Sequence, residues 1–337
     1  MLFRSGSHVT SMNSRGVVGI SGRVIDQDDV YRALDSAQAV AVPHDREIIH
    51  VIQRGFTIDG QNGIRKPIGM HGFRMEVEAH IITASATAVE NLRQCVSQAG
   101  IQVSQFVLNP LAAGEMVLSD SERAMGVAVV DLGGGTTNLA IYIDGDVWYT
   151  NVLNVGSSHV TSDIAQGLRL PVEVAEEVKL HHGYAVLEEI PEDESFNIVS
   201  FGSEQSRKVS RRELTDIIEA RVEEIFMLVH KEIKRSGYDG MLPAGLVLTG
   251  GGSLLPGIRK LATRVTGLPP RIGKPEKMVG VTDQISSPTF ATSVGLLQWA
   301  ILMSESNQLA SEHSGKTKKQ LDIKAEKIKS WFGKLLP

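Results

Sequence analysis

The sequence predicts a mixed α/β fold, on three observations. Strand-like apolar runs alternate with stretches of helical period; the elements are short and punctuated by glycine and aspartate turns; and two strands each run into a triplet of glycines. With 337 residues, 42% of them hydrophobic, the chain is long enough for two domains or one large one with substantial cores. A formal net charge of −5 and the lack of a local basic patch give no attraction for a phosphate backbone, so no nucleic-acid partner is expected. The one cysteine, Cys95, excludes an intramolecular disulfide and a multi-cysteine metal cluster, which suits a reducing cytoplasm; it reads as a small core residue on a helix. The opening "MLFRSGSHVT" has no apolar core, and no apolar run reaches the roughly 18 residues that span a bilayer. Neither a secretory signal nor a membrane span is expected.

Taken in order, "GVVGISG" and "REIIHVIQRGFTID" read as strands. Between them "DQDDVYRALDSAQ" reads as a helix whose start carries Asp26, Asp28 and Asp29 at the positive end of its dipole. The strand "MEVEAHIITAS" leads to Thr87 and Glu90, spaced as a capping box for the helix "AVENLRQCVSQAG", which Gly100 stops. Residues 1–98 therefore read as one compact α/β unit. From Gly126 the pattern is a β meander, "GVAVVDL", "TNLAIYI", a turn at Asp144 and Gly145, and "DVWYTNVLNV". Helices follow in "SSHVTSDIAQGL" and "VEVAEEVKLHH", then a polar stretch, then a long helix from Arg211 that Ser210 and Glu213 are spaced to cap. A buried strand, "AGLVLT", meets "GGGS" and another helix, and "ATSVGLLQWAILM" closes the globular part. From Ser304 to Gln320 large apolar side chains are nearly absent, so a flexible tether is expected. The "GKT" inside it lacks the earlier glycine and the preceding strand of a phosphate loop and is set aside.

The stretch "VVDLGGGTTNLAIY" sets Gly133, Gly134 and Gly135 between two strands, whereas dinucleotide-binding loops and P-loops stand between a strand and a helix. A hairpin of this composition lets bare backbone N–H groups approach an anion, since glycine has no Cβ and tolerates positive φ. Thr136 and Thr137 add hydroxyl donors, and Asp131 is placed to hold a water or the water shell of Mg2+. In "LVLTGGGSLLPGI", Gly250, Gly251, Gly252 and Ser253 follow a buried strand and precede a helix, an arrangement that suits an adenine and ribose lying against backbone. Two such loops separated by a helical insertion are more specific than either alone.

On these loops the chain resembles the actin-like ATPases of the actin, sugar-kinase and heat-shock superfamily, and most closely the FtsA family of bacterial cell-division proteins. "SGSHVTSMNSRGVV" is similar to the opening of the subdomain peculiar to that family, "VVDLGGGTTN" to its second phosphate loop, "VLTGGGSLLPGI" to its adenosine loop, and "DQISSPTFATSVGLLQWA" to its closing helix. Glu176 and Lys179, i and i+3 in "VAEEVKLHHG", match the family's ribose and base contacts, with a surface ion pair the other reading. The resemblance implies an actin-like, ribonuclease H-like two-lobed fold with its first lobe incomplete. It divides the chain into an FtsA-specific α/β subdomain at 1–98, a remnant of the first lobe at 99–126, a second lobe at 127–305 with a helical subdomain at about 166–242, and a linker at 306–320. It implies ATP and Mg2+ as cofactors, self-assembly into filaments, FtsZ as main partner on the helical subdomain, other division proteins as further partners, and a place on the cytoplasmic face of the cell membrane at the division site.

Two departures from the family are visible. Asp131 begins the one Asp-x-Gly of the chain, so the family's first phosphate loop is missing; a truncated or wrongly chosen start is expected, with a reduced protein the alternative. Where heat-shock and bacterial cytoskeletal relatives set a glutamate before proline to position water, Asn109 precedes Pro110, and a neutral amide cannot take the proton. Hydrolysis is expected to be slow or absent. A pilus-assembly scaffold, or a kinase-type enzyme of the same superfamily, is the alternative function.

The last stretch, "LDIKAEKIKSWFGKLLP" at 321–337, needs no family to be read. Leu321, Ala325, Ile328, Trp331, Phe332, Leu335 and Leu336 recur at spacings of three and four, beside Lys324, Lys327, Lys329 and Lys334. This is a basic amphipathic helix suited to an anionic membrane surface, with Ile328, Trp331, Phe332, Leu335 and Leu336 entering the lipid and Lys327 and Lys334 meeting headgroups.

Overall fold

The computed structural model describes residues 9–39, 42–199, 206–276 and 285–312. They form two compact units. The first takes in the described residues up to Leu108, then Asp146–Thr150, then the chain from Leu296; the second comprises Asn109–Gly145 and Asn151–Gly295.

The first unit is built on a four-stranded antiparallel sheet of β1 (Val9–Val24), β2 (Arg46–Ile58), β3 (Gln61–Ile64) and β4 (His71–Ser85), in the order β1-β4-β2-β3. β1 is sixteen residues long and extends well before the apolar "GVVGISG", because its first half, "VTSMNSR", pairs with β4 while leaving most side chains outside the core. Helix α1 (Gln27–Gln38) starts at Asp26, whose carboxylate accepts the Asp29 N–H while Asp29 returns the bond, a reciprocal cap. The helix lies tight against β1: a Cβ on Gly16 would come within 1.9 Å of the Ala33 carbonyl oxygen. Val18, Ile20, Ala33, Phe56, Met75 and Val77 form the core beneath it.

Helix α2 (Ala86–Gln98) departs from the reading at two points. Ser85, not Thr87, is the N-cap, and Thr87 lies inside the first turn. β4 runs directly into the helix, and the Ala86 N–H is satisfied by the Asp45 carbonyl, so tertiary structure replaces the side-chain cap. Cys95, read as a core residue, is on the helix but exposed, since α2 buries Val89 alone.

The second unit opens with α3 (Asn109–Val117) and α4 (Asp120–Met125), followed by β5 (Val127–Leu132), β6 (Thr137–Ile143) and β7 (Asp146–Leu153), the chain changing units within β7. The β6–β7 turn places Asp144 and Gly145 at φ of 54° and 85°, the left-handed pair that a tight hairpin needs. Helices α5 (Ser157–Leu168) and α6 (Val172–His182) have the expected limits. The polar stretch after them contains a hairpin that the sequence did not suggest, β8 (Ser195–Val199) with β9 (Ser206–Ser210). Ser210 caps α7 (Arg211–Ser236) by accepting the Arg212 N–H, without a reciprocal bond from Glu213. Then come β10 (Leu246–Thr249), α8 (Ile258–Thr266), β11 (Pro270–Ile272) and α9 (Ala291–Glu312). The sheet order is β11-β10-β5-β6-β7, with β10 parallel to both β5 and β11 and β6 antiparallel to β5. Every residue of β5 and β6 is buried, which is why these strands read as continuous apolar runs rather than as alternation.

Helix α9 continues to Glu312, into the segment expected as a tether. No glycine or proline interrupts 304–312, and extending an existing helix adds one hydrogen bond for each residue fixed. No helix among the described residues is long and apolar enough to cross a membrane.

Candidate functional site

Strand register brings the two glycine loops together. β5 and β10 are parallel neighbours with Asp131 opposite Thr249, so both chains leave the sheet at the same end and at the same level. Asp131 is buried, 6% exposed, and its Oδ2 accepts from Asn138 Nδ2 at 3.4 Å and from Thr292 Oγ1 at 3.3 Å. Burial raises its carboxyl pKa, and those two bonds offset the rise only in part. Gly250 sits at φ 79°, and a Cβ there would lie 2.4 Å from Asp131 Oδ1 and 2.7 Å from the Leu132 carbonyl oxygen. Glycine is thus required twice, by conformation and by the approach of one loop to the other.

The first loop is held by its own turn and by α5. Gly133 N–H donates to the Thr136 carbonyl at 3.0 Å; Ser157 and Ser158, the first residues of α5, donate their N–H groups to the carbonyls of Gly133 and Gly134 at 2.9 and 2.8 Å. The helix start, normally free to bind an anion, is therefore spent on the loop carbonyls. Gly134 and Gly135 are exposed, and their N–H groups meet no acceptor among the described residues. None of Gly133, Gly134 and Gly135 has a positive φ, so conformation does not explain the triplet. Gly133 is explained by the Thr136 carbonyl oxygen, 2.9 Å from where its Cβ would be, and Gly134 by Ser158 Oγ at 3.2 Å; a Cβ on Gly135 would meet nothing within 4 Å. Among the described residues nothing requires glycine at 135, so a side chain there would extend into open space beside the loop.

Beside this loop lies a cavity of about 390 Å³, walled by Leu132, Ser157, Glu176, Lys179, Gly251 and Gly252, with Val222 and Ile225 of α7 as an apolar side. Lys179 Nζ reaches Glu176 Oε2 at 2.7 Å and Thr161 Oγ1 at 2.8 Å, and Thr161 also donates to Glu176. Burial works to raise the Glu176 carboxyl pKa, but the bonds from Lys179 and Thr161 outweigh it and lower the value. The Lys179 side chain is 12% exposed, so the pair belongs to the cavity wall rather than to a free surface. A larger and more open recess of about 730 Å³ lies beside α8 and contains neither Glu176 nor Lys179.

Two residues singled out from sequence face the scaffold. Thr137 is buried and donates to the Val155 carbonyl at 2.8 Å; Ser253 is buried and donates to the Gly250 carbonyl at 2.7 Å. Their hydroxyl protons hold the loops in shape, while Thr136 remains partly exposed beside Gly135. Ile328, Trp331, Phe332, Leu335, Leu336, Lys327 and Lys334 lie outside the described residues. Sequence reasoning missed Asn138, Thr161 and Thr292. Asn138 was within reach, since hairpin counting sets it across from Asp131, and Thr161 stands one helical turn after Ser157. Thr292 is 161 residues from Asp131 and carries no local signal.

These residues fit a nucleotide with its metal. N–H groups without a protein acceptor suit phosphate oxygens, and a cavity wall of two glycines with an apolar side and a polar pair suits a ribose and base. Among the described residues no three acidic, histidine or cysteine groups cluster as a metal cage. A single carboxylate, Asp131, is what a Mg2+ held chiefly by waters and phosphates needs.

Known proteins match the chain in sequence and in fold. The family model described as "Cell division protein FtsA" matches residues 128–295, and that of the "SHS2 domain inserted in FTSA" matches residues 6–83. The cell division protein FtsA of Pseudomonas aeruginosa is 38% identical over 330 residues, covering 97% of this chain and 79% of that protein. That of Borreliella burgdorferi is 41% identical over 333 residues, covering 97% and 80%. Among solved structures, the PilM-PilN type IV pilus biogenesis complex superposes with a TM-score of 0.55 at 18% identity, covering 85% of this chain and 75% of its own. MreB 5 of Spiroplasma citri bound to AMPPNP superposes with a TM-score of 0.55 at 21% identity, covering 67% and 68%. At such identities the likeness is one of fold, and the fold is actin-like.

Proposed function

Because the chain belongs to the FtsA family of cell division proteins, we propose that it is an ATP-binding, actin-like scaffold that polymerises and tethers the FtsZ ring to the inner face of the cytoplasmic membrane, where it helps recruit later division proteins. The observation that supports the nucleotide part is the pair of exposed residues Gly134 and Gly135, whose N–H groups meet no acceptor among the described residues, beside a buried Asp131 and a cavity walled in part by Glu176 and Lys179. In this reading Gly134, Gly135 and Thr136 bind phosphate oxygens, Gly251 and Gly252 support the adenosine, and Glu176 and Lys179 meet the ribose and base. Mg2+ would neutralise phosphate charge, with Asp131 holding one of its waters.

Asn109 opens α3 with an exposed side chain and offers no carboxylate to accept a proton, which supports slow or absent hydrolysis. FtsZ is assigned to the helical part of the second unit, and the membrane to the basic stripe of 321–337, on family membership and sequence pattern respectively.

Gly135→Ala tests the nucleotide site. A methyl group at 135 meets nothing in the protein and restricts the unfolded chain, so stability should hold or rise by about 0.4–1 kcal/mol. Affinity for Mg-ATP by calorimetry should fall about tenfold, as expected for one lost charge-assisted bond. Equal affinity in the two proteins would remove the loop from the site.

A further inference from the structure

Within the second unit, the Asp131 carboxylate accepts hydrogen bonds on one oxygen. Asn138 Nδ2 and Thr292 Oγ1 both donate to Oδ2, and no donor among the described residues reaches Oδ1. Oδ1 faces the second glycine loop, where the absent side chain of Gly250 leaves room for it. The last torsion of an aspartate side chain is broad and nearly twofold, so burial alone does not settle which oxygen is left open. The two donors settle it.

Asn138 stands across from Asp131 in the β5–β6 hairpin; its bond is long, 3.4 Å, and the same amide also reaches Thr136 Oγ1 at 3.5 Å. Thr292 comes from the first turn of α9, which is fixed independently of Asp131. Ala291 and Val294 are buried, and α9 crosses α3 so closely that a Cβ on Gly295 would run into the Ala112 carbonyl. Just before the helix, the Pro288 carbonyl accepts from the Gly250 N–H at 3.2 Å and from Thr249 Oγ1 at 3.3 Å. Thr249 is the residue opposite Asp131 in register, so residues 288–292 hold the ends of both strands, β10 through a carbonyl and β5 through a hydroxyl. A helical threonine commonly gives its one proton to a carbonyl of the preceding turn. Thr292 gives it to Asp131 instead.

We propose that Thr292 is a positioning residue of the nucleotide site: with Asn138 it anchors the Asp131 carboxylate by Oδ2 and so leaves Oδ1 to accept from the waters of the Mg2+ that a nucleotide brings. The inference rests on the nucleotide reading of the two glycine loops. It adds that the site distinguishes metal-bound from metal-free nucleotide through a hydroxyl that belongs to neither loop. Thr292→Val keeps the shape of the side chain and removes the donor, whereas Thr292→Ser keeps the donor.

Calorimetry of ATP binding to the full chain, once with Mg2+ and once with excess EDTA, tests it, with thermal melting to establish that each variant is folded. Thr292→Val should weaken Mg-ATP binding about tenfold, as for one lost bond to a charged group, and should leave metal-free ATP within about twofold of the wild type. Thr292→Ser should restore Mg-ATP affinity. Asp131→Asn with Thr292→Val should bind Mg-ATP no more weakly than Asp131→Asn alone, since both substitutions remove the same interaction. Equal Mg-ATP affinity for the wild type and Thr292→Val would overturn the proposal, and a loss in Asp131→Asn in the same experiment would leave the nucleotide site standing. An equal loss with and without metal, a loss shared by Thr292→Ser, or a double variant weaker than Asp131→Asn would also overturn it, because each marks a merely structural role. A wild type that binds no ATP would overturn the nucleotide reading and this inference with it.

Discussion

Asp131 is a carboxylate held where the protein without ligand is better served by a neutral group. Burial raises its pKa, and its two hydrogen bonds arrive on a single oxygen. For an acid whose folded pKa is raised, the folded state binds the proton more tightly, so stability is greatest below the unfolded pKa and declines as pH rises through the folded one. Asp131→Asn keeps an acceptor for Asn138 and Thr292 and removes the buried charge. At pH 7 and without nucleotide its melting temperature should exceed that of the wild type, while Mg-ATP affinity should fall by about ten- to a hundredfold. A drop in both quantities would show instead that the ionised form holds the loops together. The sequence made Asp131 and the glycines visible because their spacing is local. It could not separate Thr136 from Thr137, or Gly251 from Ser253, because which hydroxyl turns inward depends on Val155 and on the Gly250 carbonyl.

Strands β2 and β4 carry a pair of histidines that sequence reading passed over. Burial lowers the pKa of His50 to about 4, and burial together with the charge of Arg54 and the presence of His50 lowers that of His80 to about 3. Both are neutral in the fold and titrate near 6.5 in the unfolded chain. Their contribution is complete above pH 6.5 and is lost as pH falls from there toward 4 and 3, by about 1.4 kcal/mol per pH unit for each histidine. Urea unfolding at pH 7.5 and pH 5 should show this loss, and His80→Gln should remove about half of it; equal stability at the two pH values would refute the assignment. Helices were legible wherever the signal was amphipathic period, as in α5 and α6, whose limits match the reading. Caps were less legible. Ser119 and Glu122 make a reciprocal cap for α4 that the reading passed over, while the Thr87–Glu90 spacing corresponds to no cap because a neighbouring carbonyl already serves that helix start.

For the whole molecule, the proposed membrane helix at 321–337 follows both candidate nucleotide loops in the sequence. Half-burying Ile328, Trp331, Phe332, Leu335 and Leu336 would contribute roughly 4–6 kcal/mol, and each lysine about 1 kcal/mol on an anionic leaflet, less the entropy of ordering a short helix. One copy should bind lipid reversibly, and a polymer should convert many weak attachments into a firm one. Trp331→Glu with Phe332→Glu should therefore release the protein from anionic liposomes in co-sedimentation, and raised salt should weaken wild-type binding; full pelleting of the double variant would exclude 321–337 as the anchor. The actin-like fold was legible because two loops and a helical insertion occur in a fixed order. The division into units was not, because it follows spatial neighbours rather than neighbours in sequence. The first unit is assembled from three separate stretches, and the short middle one supplies Thr150, whose hydroxyl meets His80 Nε2 at 3.1 Å and whose carbonyl accepts from Ser11 Oγ at 2.8 Å. A gene fragment ending at Leu108 would encode the whole four-stranded sheet and still leave His80 and Ser11 without these partners. Recombination that moves the unit with these two hydrogen bonds intact must carry Asp146–Thr150 along, and with it the intervening sequence, which includes the candidate nucleotide loop at 131–137.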